Sequence, residues 1–92
     1  MAINFEWDDK KAKSNFRKHG ISFEEACTAF ADEFSLTIDY PLHSEEENRS
    51  ILIGKSIHNN TIIVVHLEKT ESIRIISARK ATKKEKSFYE EF

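Results

Sequence analysis

Arg79, Lys80, Lys83, Lys84 and Lys86 stand within eight residues of one another, in a chain whose formal net charge is −2. Their chemistry is that of a phosphate cradle. Thr82 and Glu85 have the spacing of a capping box, which opens a helix and puts Lys83 and Lys84 in its first turn. Free backbone N–H groups there already carry about half a unit of positive charge, so each added cation costs ~0.3–1 kcal/mol at an exposed site. Local rules are broken most readily where function demands it. A helix N-terminus beside Arg79, Lys80 and two lysines suits an anion, and a merely solvated basic turn is the alternative. Arg74 sits in the otherwise apolar run "SIRIISA", where it snorkels from an edge, pairs with a carboxylate or lines a groove on an open sheet face. Tyr89 follows Glu85 by four residues on the same helical side, as a core aromatic or a working phenol.

A second polar stretch, "HSEEENR", runs from His43 to Arg49. It offers His43 or Glu47 as a general base and Arg49 as another phosphate-binding cation; a solvated acidic loop is the alternative. His19, His43, His58 and His66 lack ligand spacing, and neither His-Glu-x-x-His nor Cys-x-x-Cys occurs, so no metal or other cofactor is expected. His66 shares strand parity with Ile62 and Val64 and reads as an inner histidine. Cys27 lies on an apolar helical stripe and reads as an inert core thiol.

These side chains need a scaffold. "NFEW" suits a short edge strand; Asp8 then caps a helix ending at Gly20, with Trp7 and Ala12 as a hydrophobic staple and with Ala12 and Phe16 as its apolar anchors. In "ISFEEACTAF", Ser22 and Glu25 have capping-box spacing, and Phe23, Ala26, Cys27 and Phe30 recur at helical intervals. From Ser35 the period shortens to two. "SLTIDY", "RSILIGKSI", "TIIVVHLE" and "SIRIISA" read as four strands of an antiparallel meander. "TIIVVHL" is apolar on both parities and belongs at the centre. The last helix carries Phe88 and Phe92 on one side. The fold class is α+β: a small antiparallel sheet with two N-terminal helices and one C-terminal helix, in a single domain over residues 1–92.

Composition narrows the classes. Residues 1–50 hold 6 Lys and Arg against 11 Asp and Glu, whereas residues 51–92 hold 8 against 5, so the molecule has a cationic end without global attraction to a polyanion. A single cysteine allows no internal disulfide, and the start "MAINFEWDD" is unlike a signal peptide. The longest apolar run is far short of the ~20 residues that span a membrane. A cytoplasmic address and no membrane partner are expected.

"FEWDDKKAKSNFRKHGISFEEA", "HSEEENR" before "ILIG", and "RIISARKATKKE" with a tyrosine soon after resemble, in order and spacing, the BrnT toxins of bacterial type II toxin-antitoxin systems. The resemblance covers nearly the whole chain, and the joint occurrence of "KHGISFEEA" and "RIISAR" is its specific part. It implies a RelE-like fold, a metal-independent ribonuclease that inhibits translation, a BrnA-like antitoxin as partner, RNA as substrate, and a homodimer or toxin-antitoxin heterotetramer. Carried over by position, the motif residues are His43, Glu47, Arg49, Arg74, Arg79, Lys80, Glu85 and Tyr89. Arg79 and Arg74 would stabilise phosphoryl charge, Glu47 or His43 would act as base and Tyr89 as acid, with Arg49, Lys80, Lys83 and Lys84 holding substrate. The chain departs from the family in its lysine-rich last helix and in Asn48, where an acid is common. Lysine lacks the bidentate fork of arginine, which keeps a second reading open: a relative that binds nucleic acid or a partner without cutting.

Overall fold

The computed structural model describes residues 3–39 and 49–91; Tyr40, Pro41, His43, Glu47 and Asn48 lie outside the described residues. The elements in order are β1 (Asn4–Glu6), α1 (Asp9–His19), α2 (Phe23–Thr28) with a 3-10 turn Ala29–Ala31, β2 (Leu36–Asp39), β3 (Arg49–Lys55), β4 (Thr61–Glu68), β5 (Ser72–Lys80) and α3 (Lys83–Glu90). They build one five-stranded sheet in the order β1-β5-β4-β3-β2. Strands β2 to β5 form the antiparallel meander that their alternation implies. The sheet as a whole is mixed, because β1 pairs in parallel with β5. This corrects the expectation of a purely antiparallel sheet. After β1 the helices carry the chain to the far edge, and the meander walks back until its last strand lies beside the first.

Apolar parity divides the core into two layers. On one side Ile21, Phe23, Ala26 and Ala29 pack on Leu52, Ile62, Val64, Ile75 and Ala78. On the other, Tyr89 of α3 packs on Ile53 and Ile63, with Ile51 and Ala81 beside them. Strand β4 is the middle strand, and Thr61 to Val64 are buried without a break, as a run apolar on both parities requires.

Helix α1 starts and stops where its sequence signals stand. The Asp8 carboxylate accepts from the N–H groups of Lys10 and Lys11, and Gly20 closes the helix at φ 73°, a left-handed conformation that costs glycine nothing. The anchoring differs from expectation. Phe16 is 57% exposed, and the side chain α1 buries is Asn15, at 7%.

At α2 the Ser22 hydroxyl accepts from the Glu25 N–H as a capping box requires, but the Glu25 carboxylate turns elsewhere. It accepts from Ser56 Oγ at 2.6 Å and from Asn60 Nδ2 at 2.8 Å, tying the β3–β4 hairpin to the helix layer. Partial burial works against its charge, yet the two donors outweigh that and hold the carboxyl below its usual range. Gly54 permits the same close approach from the sheet side. A Cβ there would lie 3.0 Å from the Ala29 carbonyl oxygen.

His66 is 1% exposed in the helix-covered layer, edge-on to Phe30 with ring centroids 4.9 Å apart. Burial pushes its pKa down, against weaker contributions from the Val64 carbonyl and Glu68. The unfolded chain therefore binds a proton near pH 6.5 that the folded chain refuses. Stability is whole above pH 6.5 and falls as pH drops below it, by at most ~1.4 kcal/mol per pH unit for one proton. Urea midpoints at pH 7.5 and 5.5 are expected to differ in this direction and to converge in His66→Leu. Equal midpoints in the unmodified chain would exclude the effect.

Candidate nucleic-acid interface

Arg74 and Arg79 are an odd number of residues apart, so an uninterrupted strand would send them to opposite faces of the sheet. They share a face. Leu67 pairs with Arg74 and Ile63 with Arg79, and Leu67 and Ile63 are four apart on β4. The correction is made by a β-bulge: Val65 pairs with Ser77 and His66 with Ile75, leaving Ile76 without a partner. Arg49 joins the same face, since it too pairs with Leu67. Three arginines thus line the face that α3 covers only at one end, with Arg49 and Arg74 flanking Leu67 and the Arg79 row about 13 Å along the strands.

Each arginine on β5 already has a carboxylate. Arg79 donates from Nη1 and Nη2 to the two oxygens of Glu85 at 2.8 and 2.9 Å, a bidentate fork. The same Glu85 completes a full capping box: it accepts from the Thr82 N–H, and Thr82 Oγ1 accepts from the Glu85 N–H. Arg79, ahead of the cap contacts, drives the Glu85 pKa down to about 2. Strand end and helix start are thereby one unit, and the guanidinium is aimed before any ligand arrives. Arg74 donates to Glu6 Oε2 at 3.1 Å, where Lys69 also donates at 3.0 Å, and Ser72 donates to Oε1. Lys69, then Arg74 and Ser72, hold the Glu6 carboxyl below its usual range.

The cation cluster read from sequence is divided by the sheet. Lys80 pairs with Ile62 and so falls on the helix-covered face, opposite to Arg79, where its charge helps to keep Glu25 ionised. Lys83, Lys84 and Lys86 are exposed on α3. Tyr89 is 8% exposed and its hydroxyl donates to Asp32 Oδ2. Burial first, and the carboxylate second, push its pKa up to about 12. Asp32 also accepts from the Lys55 and Phe34 N–H groups. These donors overcome burial and hold its carboxyl below the usual range. Tyr89 is thus a core aromatic that pins α3 to the edge of β3. Cys27 is half-buried, and burial raises its thiol to about 11, which suits an unreactive role.

Glu6, Asn15 and Asp32 were not singled out in the sequence. Asn15 alone carried a signal: it follows Ala12 by three, on the inward stripe of α1. Its Nδ2 donates to the carbonyls of Ile21 (3.0 Å) and Ala78 (2.8 Å), and its Oδ1 accepts from the Ala78 N–H (3.1 Å). An open apolar groove of about 810 Å³, lined by Trp7, Phe16 and Phe23 among others, lies between α1 and α2, across the sheet from the arginines. Among the described residues no three His, Cys, Asp or Glu side chains are gathered as a metal site, and no helix is long and apolar enough to cross a membrane.

Comparison with known proteins agrees with the motifs. The crystal structure of the Brucella abortus ribonuclease toxin BrnT superposes with a TM-score of 0.60 at 23% identity, covering 89% of this chain and all of that one, a likeness of fold. Curated protein sequences give no significant match. The family model described as the ribonuclease toxin BrnT of type II toxin-antitoxin systems matches residues 7–85. An antitoxin partner is implied by that system, and with most of its length matched the chain belongs to the BrnT ribonuclease toxin family.

Proposed function

We propose that this chain is a RelE-like endoribonuclease acting in the cytoplasm, which inhibits translation by cutting RNA without a metal ion, as one toxin domain over residues 1–92. The observation that carries this reading is that Arg49, Arg74 and Arg79 lie on one open sheet face, the bulge in β5 bringing Arg79 to the side where Arg49 and Arg74 flank Leu67. A base takes the proton of a ribose 2′-hydroxyl. The oxygen attacks the adjacent phosphorus, the bond to the 5′-oxygen breaks as that oxygen takes a proton from the protonated base or from water, and the products carry a 2′,3′-cyclic phosphate and a 5′-hydroxyl. Arg79 stabilises the charge gathering on the phosphoryl oxygens, commonly the largest single contribution to such catalysis. Arg74, Arg49, Lys83 and Lys84 hold neighbouring phosphates. The base is His43 or Glu47, for Glu85 is far too weak at about 2. Tyr89 is better suited to anchoring α3 than to proton donation, because its hydroxyl is committed to Asp32. A BrnA-like antitoxin neutralises the toxin, in a heterotetramer or with a toxin homodimer.

The test is cleavage of single-stranded RNA by the purified, antitoxin-free chain in EDTA. Cyclic-phosphate ends are the expected product, and intact RNA at micromolar protein overturns the reading. A second reading, binding without cutting, is favoured by one observation: both β5 arginines are already paired, with Glu6 and Glu85. It predicts binding that weakens steeply with salt and leaves no products.

A further inference from the structure

We propose that Asn15 is a positioning residue, which holds the β5 bulge in register and so keeps Arg79 on the same face of the sheet as Arg74 and Arg49. Three observations meet here. Asn15 is a polar side chain buried to 7% exposure, and such a group persists in a core only with its hydrogen bonds made. Both of its amide atoms are used on the neighbouring strand: Oδ1 accepts from the Ala78 N–H and Nδ2 donates to the Ala78 carbonyl, with a further bond to Ile21. It therefore reads Ala78 as a paired strand would, beyond the point where β1 has stopped at Glu6, the partner of Arg74.

Ala78 is the second residue paired beyond the bulge. Beyond the unpaired Ile76, Ser77 pairs with Val65, Ala78 with Val64 and Arg79 with Ile63. Without the bulge, residue 77 would pair with Val64 and residue 79 with Ile62. Ser77 would then take the fully buried place of Ala78 in the helix-covered layer, and Arg79 would take the place of Lys80 on that face. A slip of one residue reverses every side chain. The slip would bury the Ser77 hydroxyl where the Ala78 methyl now packs, so packing selects the bulged register. Asn15 clamps the backbone so selected with two directional bonds, at the edge β1 has left and from a helix whose own end is fixed at Gly20. The register at Ala78 sets where the Arg79 guanidinium meets Glu85 and, on the ribonuclease reading, a phosphate. Asn15 touches neither.

Only the kinetic arm of the test rests on that reading. Asn15→Ala and the milder Asn15→Ser, each checked for a folded melt, are compared with the unmodified chain by NMR titration of Glu85 and by single-turnover RNA cleavage. The Glu85 midpoint is expected to rise from about 2 towards its ordinary 4.5 as Arg79 moves away. The maximal rate is expected to fall at least tenfold with little change in KM, and to fall no further when Asn15→Ala is added to Arg79→Ala. An unmoved Glu85 midpoint with an unchanged rate overturns the proposal, as does a rate loss that persists undiminished in the Arg79→Ala background. If the unmodified chain cuts no RNA, the ribonuclease reading falls and the Glu85 titration alone decides for or against positioning. If neither variant folds, amide exchange in the unmodified chain decides. Protection of the Ala78 N–H comparable to that of Val64 supports the clamp, and rapid exchange at Ala78 removes it.

Discussion

Arg79→Ala is expected to lower the rate of RNA cleavage by ~10²–10³, the usual loss when one preorganised donor to a developing oxyanion is removed. Stability is expected to change far less. Both partners of the Arg79–Glu85 pair are partly exposed, at 41% and 31%, and pairs of that kind contribute about 0–1 kcal/mol. The helix start also keeps its cap, because Thr82 and Glu85 bond each other without Arg79. Single-turnover cleavage beside a thermal melt separates the two effects. Arg79→Lys should fall between, since it restores the charge but not the fork. A wild-type rate in Arg79→Ala would remove this residue from the mechanism and leave the other cations of the face to account for any cleavage.

The largest loss of stability is expected from Phe23→Ala. Phe23 is fully buried under the helix-covered layer, meeting Trp7 edge-on with ring centroids 5.9 Å apart. Truncating such a ring costs ~3–5 kcal/mol, against a total of about 5–15 kcal/mol for a domain. The urea midpoint should therefore fall by a large fraction, and, on the ribonuclease reading, RNA cleavage per total protein should fall through loss of folded protein. Phe16→Ala, on the same layer but 57% exposed, should leave the midpoint nearly unchanged. Similar losses for the two would contradict the division of the core described above.

Local signals accounted for the elements. Asp8, Gly20, Ser22 and Thr82 each stand at the helix boundary their chemistry implies, because caps act within a few residues of themselves. The alternating runs became strands in consecutive order, since hairpin-length loops leave neighbouring strands little choice of partner. What remained hidden was non-local. Glu25 has the spacing of a capping box, yet Ser56 and Asn60, more than thirty residues away, are the donors its carboxylate takes. Phe16 looked like an anchor by hydrophobicity, while the inward position went to Asn15, whose value lies in backbone groups of a strand 63 residues on. The site was legible as a set of cations but not as an arrangement. Nothing in "SIRIISARK" announces a bulge, and without it the shared face of Arg74 and Arg79 does not follow from parity. Lys80 looked like a neighbour of Arg79 because it is the next residue, and in a strand the next residue points away.

The parallel seam between β1 and β5 bears on when in its synthesis the molecule can complete its fold. Glu6 and Arg74 are 68 positions apart, so the first strand waits for almost the whole polypeptide before its edge can close. At ~5–20 residues per second of synthesis, that interval is roughly 3–14 s, and contacts so distant in the chain are slow to form besides. On the ribonuclease reading, the nascent chain stays inactive until β5 has been made and has docked against β1.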